Sequence, residues 1–81
     1  MLVITNLRRY IMPIILAPLN TSLRIVKILV DEKTKKHLES LGITIDSNIV
    51  VLSVQNGSTI CQVKEGRLAL DSNISRKILV A

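Results

Sequence analysis

The sequence predicts a mainly β domain: a small barrel of five to six short antiparallel strands, with one short α-helix after the first long strand. Three observations lead there. Eighty-one residues leave room for a single core. Hydrophobic residues make up 48% of the chain while Tyr10 is its only aromatic, so that core must be built from Ile, Leu and Val, side chains that suit a pleated sheet. Turn signals then recur at short intervals (Asp46-Ser47-Asn48, Asn56-Gly57, Glu65-Gly66, Asp71-Ser72-Asn73). Short strands joined by tight turns favour closure, which removes the edges an open sheet would expose.

Taken in order, Pro13 to Ala17 reads as a short edge strand, opened by one proline and ended by Pro18. Leu23 to Val30 is the first long strand, interrupted only by Arg24 and Lys27 and apolar on both faces, as a strand covered on both sides would be. Asp31 has the character of a helix N-cap, because its carboxylate can accept the free N–H groups of the first turn. Thr34, Leu38 and Leu41 follow at helical spacing as one narrow apolar stripe, with charged residues and His37 on the wet side, so the helix must lie on a sheet. Gly42 ends it and Ile43 can fold back on the last turn. Ile49 to Val54 and Thr59 to Lys64 form a hairpin around Asn56-Gly57, the strongest local signal in the chain, since both residues tolerate positive φ. Arg67 to Leu70 adds a third strand to this meander. A turn at Asp71, with room for a single helical turn, leads to the last strand, Lys77 to Val80.

The net charge of +5 raises the question of nucleic acid or an anionic surface, but the basic residues are scattered along the chain and read as a solvated face. Cys61 is the sole cysteine, which rules out an intramolecular disulfide, fits a reducing cytosol and, within an apolar stretch, reads as packing. Ile11 to Leu19 follows two arginines much as a secretion signal would, yet Pro13 and Pro18 interrupt it. No stretch approaches the roughly 20 apolar residues of a membrane span, so neither export nor membrane insertion is expected.

All six acids fall in or beside turns or on the polar helix face, and His37 is the only histidine, so the residues do not suggest acid–base catalysis. The three glycines stand singly, each accounted for by a turn or helix end, which removes any phosphate cradle. A basic RNA-binding barrel stays open by architecture, but base stacking normally uses aromatics on the sheet, and this barrel offers none. The expectation is a non-enzyme without a cofactor or a specific nucleic-acid partner.

The strand Ile25-Val26-Lys27-Ile28, the helix ending Leu38-Glu39-Ser40-Leu41-Gly42-Ile43, the hairpin, Gly66-Arg67-Leu68-Ala69-Leu70 and the closing Ile78-Leu79-Val80 follow one another in an order similar to the FeoA domain. The likeness runs from about Pro13 to Val80. It implies an SH3-like barrel without chemistry of its own: a cytoplasmic accessory protein of ferrous iron uptake that binds and modulates FeoB, a membrane transporter with a GTPase domain. One His and one Cys do not make a ferrous site, so no metal ligand is assigned. Related barrels occur in metal-dependent repressors, which keeps a metal-responsive regulatory domain as a further alternative, although no DNA-reading helix is present in the sequence. The chain departs from the family where Pro-Gly often follows the helix, here Ile45-Asp46, and where a glycine often precedes the first long strand, here Asn20-Thr21.

The partner-binding surface is expected at the helix end, around Leu38, Leu41 and Ile43. Leu41 and Ile43 also suit the core, which makes Leu38 the best candidate for an exposed contact. The domain is assigned to residues 12–81, with residues 1–11 as a loosely held extension and Met12 as a candidate natural start.

Overall fold

The structure is a computed structural model that describes residues 10–64 and 66–81. The expected looseness of the N-terminal extension therefore falls, for residues 1–9, outside the described residues. The elements are β1 (Met12–Pro13), a 3₁₀ turn (Ile14–Leu16), β2 (Ser22–Ile28), α1 (Glu32–Ser40), β3 (Asn48–Gln55), β4 (Ser58–Val63), β5 (Gly66–Leu70), α2 (Ser72–Ser75) and β6 (Ile78–Val80). They form one six-stranded antiparallel sheet in the order β1-β6-β2-β3-β4-β5, the mainly β, SH3-like small fold that the sequence predicts.

β2 is what makes the sheet curl. Its first residues, Ser22 to Arg24, pair with β3, while Ile25 to Ile28 pair with β6. Within the second stretch, between Ile25 and Lys27, Val26 is an extra residue in the register, a bulge that bends the strand just past the change of partner. Ile25 sits at this crossing, with no side-chain exposure. Its N–H donates to the Ser47 carbonyl at 2.9 Å and its own carbonyl accepts from Asp46 N–H at 2.8 Å, so the strand is also tied to the loop after the helix. A second bulge at Leu52 similarly bends β3 against β4.

The local signals act as their chemistry requires. Asp31 accepts from Thr34 N–H at 3.2 Å and caps α1; bonds from Thr34, its hydroxyl first and its N–H next, hold the Asp31 carboxyl below the ordinary 3.8. Asp71 repeats the device at α2, accepting from Ile74 N–H at 2.8 Å. At the β3–β4 hairpin, Asn56 (φ 53°) and Gly57 (φ 83°) adopt the paired positive φ values of a two-residue turn. A Cβ on Gly57 would stand 3.1 Å from Ser72 Cβ, so this turn packs closely on α2 as well as needing glycine's freedom.

One element differs from expectation. Only Met12 and Pro13 pair with β6; Ile14 to Leu16 then coil into a 3₁₀ turn closed by Ala17 N–H to the Ile14 carbonyl at 3.1 Å, rather than extending as strand to Ala17. An edge strand would place alternate residues outside. The turn instead buries Ile14 and Ala17 and leaves Leu16 in solvent.

The core is aliphatic: Ile14, Ile25, Ile43, Ile49, Ile78 and Val51 are among its fully enclosed members. Two polar side chains join it. The Ser75 hydroxyl donates to the Asp71 carbonyl at 2.7 Å, whereas Thr59 Oγ1, equally buried, has no hydrogen-bond partner. A buried hydroxyl without a partner opposes folding by about 1–3 kcal/mol. Thr59→Val should therefore raise stability by about 1 kcal/mol in urea unfolding; an unchanged or lowered midpoint would show that the hydroxyl is satisfied in solution.

Candidate functional site

The end of α1 and the loop that follows, where the sequence places a contact surface, are held by their own hydrogen bonds. Three hydrogen bonds shape it. Leu41 N–H donates to the Leu38 carbonyl at 3.0 Å, Gly42 N–H to the Glu39 carbonyl at 3.0 Å and Ile43 N–H to the Leu38 carbonyl at 2.9 Å, the last two defining a Schellman motif around Gly42 (φ 95°). This wraps Ile43 under the last helical turn. The loop is then fixed by Ser47, whose hydroxyl donates to the Thr44 carbonyl at 2.6 Å while its oxygen lies 3.2 Å from Thr44 N–H.

Of the three residues expected to present a contact surface, Leu38 is 2% exposed and Ile43 fully buried, both within the core, while Leu41 is half-buried. The expectation that Leu38 is the exposed part of the stripe is thus corrected. The stripe of so short a helix has only one apolar surface to meet, and the Schellman turn presses Leu38 and Ile43 into it together. What remains at the surface is Leu41, with Ile45 exposed nearby in the loop.

Beside them lies a shallow groove of about 460 Å³, lined by Gly42, Asp46, Asn48, Val50, Gln62 and Lys64. Gln62 and Lys64 reach it only because β4 pairs with β3, with Val50 directly opposite Gln62. Nothing in the sequence near the helix signals them. Asp46 lies 3.9 Å from the Arg24 guanidinium, an exposed pair that water screens heavily.

His37 is exposed on the outer side of α1, away from the groove lining. Among the described residues no cluster of three or more His, Cys, Asp or Glu side chains is placed to hold a metal ion, and no helix is long and apolar enough to cross a membrane. Cys61 is fully buried, and its enclosure pushes the thiol from the ordinary 9.0 up to about 11, which suppresses the nucleophilic thiolate.

The sequence model of the FeoA domain matches residues 12–81. The chain belongs to the FeoA domain family. Solved structures agree in fold. A crystal structure of an iron uptake regulatory protein (FeoA) superposes with a TM-score of 0.78 at 24% identity, covering 89% of this chain and 96% of that one. A manganese-dependent transcriptional repressor gives 0.79 at 19% identity, covering 88% of this chain and 41% of the repressor. The FeoA-like protein from Clostridium acetobutylicum gives 0.72 at 14% identity, covering 88% and 85% of the two chains. No curated protein matches the sequence.

At two positions where the sequence is expected to depart from the family, the FeoA domain here adopts positive φ. Asp46 (φ 73°) stands where Pro-Gly often follows the helix, and Asn20 (φ 57°) just before β2 where glycine is frequent. Both lie in the left-handed region, and Asn and Asp are the side chains that enter it most readily after glycine.

Two outcomes follow from the burial at this site. Leu38→Ala should lower stability by about 2–4 kcal/mol, because it leaves a cavity in the core; a loss under about 1 kcal/mol would mean that Leu38 is solvated. For Cys61, the unfolded thiol ionises near 9 while the folded one holds its proton to about 11. The folded state then binds more protons, so stability should fall as pH rises from 9 to 11. That slope should vanish in Cys61→Ala, and a wild-type slope equal to the variant's would place the thiol in water.

Proposed function

We propose that this FeoA domain is a non-catalytic cytoplasmic accessory protein of ferrous iron uptake, which binds and modulates a FeoB-type membrane transporter bearing a GTPase domain. The observation that carries this reading is the family match over residues 12–81. The fold likeness to a protein named as an iron uptake regulator supports it.

The contact surface is the α1 end. Leu41 and Ile45 supply apolar area, Leu38 and Ile43 hold them from beneath, and Gln62 and Lys64 give the adjoining groove a polar side. The Schellman turn and the Ser47–Thr44 bonds fix this backbone before any partner arrives, so little ordering entropy is lost on binding.

Calorimetric titration of the full chain into a purified FeoB-type transporter in detergent, with and without GTP analogue, tests the reading. Binding should appear, and Ile45→Asp should weaken it about tenfold while thermal stability is kept. Absence of binding in both nucleotide conditions would refute the accessory role; unchanged binding by folded Ile45→Asp and Leu41→Gln would remove this surface alone.

A further inference from the structure

The two edges of the sheet are finished differently. β1 is only two residues long and includes Pro13, which has no N–H to offer, so that edge is blunted against a further strand. β5, at the opposite edge, runs for five residues from Gly66 to Leu70, with neither a proline nor a shift in its register with β4. Among the described residues no strand pairs with its outer side.

The β4–β5 register decides which groups that outer side presents. Val63 and Gly66 are the first pair of the hairpin, and the pair beside a two-residue connection is one that exchanges both backbone bonds. By alternation Cys61–Leu68 and Thr59–Leu70 are bonded in the same way, whereas Arg67 and Ala69 turn their N–H and C=O groups away from β4. Neither residue makes a backbone bond to another described element. Both side chains are exposed, and a Cβ placed on Gly66 would meet nothing within 4 Å, so the edge is open along its length.

We propose that β5 pairs with β5 of a second copy of this chain, antiparallel about a two-fold axis at Leu68. In this register the edge is complementary to itself. Arg67 stands opposite Ala69 of the second copy, and Ala69 opposite its Arg67, so the outward N–H and C=O groups of both copies satisfy one another. The charges select the same register. Arg67 meets an alanine rather than its own counterpart, and the exposed Asp71, two residues beyond Ala69, falls diagonally across from it, within reach of a long side chain. An axis at Arg67 would set the two cations against each other. An axis at Ala69 would call on the Asp71 carbonyl, which already accepts from Ser75 N–H at 2.9 Å and from its hydroxyl at 2.7 Å. An unrelated extended peptide could fill the backbone bonds, but a second copy also brings an acid to Arg67. So short a ladder makes a weak, concentration-dependent dimer, and its formation does not depend on the transporter reading.

Sedimentation velocity of the full chain from about 5 μM to about 500 μM tests the proposal and should show monomer giving way to dimer, with a dissociation constant on the order of 100 μM. Ala69→Pro removes an outward N–H, a change that an edge strand tolerates, and should abolish the dimer while the barrel stays folded. Arg67→Glu should weaken it about tenfold by setting like charges on the diagonal. Amide hydrogen exchange reads the edge directly: the Arg67 and Ala69 N–H groups should exchange freely in dilute protein and slow as the dimer forms. A monomer at every concentration, or a dimer of undiminished strength in either folded variant, would overturn the proposal. So would slow exchange of these two amides in the dilute monomer, since the edge would then be covered by the chain itself.

Discussion

A core without a single aromatic ring is the constraint from which most of this structure follows. Isoleucine and valine bring little bulk apiece, so filling the space inside a barrel of this size draws a side chain from almost every element. Ile14 comes from a 3₁₀ turn, Leu38 from the helix, Ile43 from the loop beyond it and Ile78 from the last strand. The helix has no freedom to keep its best leucine at the surface. Even Cys61 and Thr59 are drawn in, side by side on the inward face of β4, because the alternation of that strand offers no other place.

What could be read from the sequence was decided within three or four residues. Asp31 and Asp71 cap helices because a carboxylate reaches an N–H three residues on, Gly42 ends α1 because only the left-handed region closes the Schellman bonds, and Asn56-Gly57 turns the hairpin by φ alone. The misreadings lie where distant strands decide. Pro13 to Ala17 has strand composition, but β6 offers it only two paired residues, and the rest coils so that Ile14 can reach the core. Thr34, Leu38 and Leu41 mark an apolar stripe in the sequence, yet how much of that stripe the sheet covers is not written in its spacing. Gln62 and Lys64 join the groove through the β3–β4 register, which leaves no local trace.

The division of β2 between β3 and β6 also bears on the order in which the fold assembles. The meander β3-β4-β5 needs only neighbouring strands and tight turns, so its closure entropy is small. The second half of β2 must wait for Ile78 to Val80, some fifty positions further along the chain. Until those residues arrive, half of the first long strand is an open edge beside an unfinished core. The pairings of β6 with β1 and β2, at the seam between the beginning and the end of the chain, thus carry the largest loop-closure entropy in the sheet.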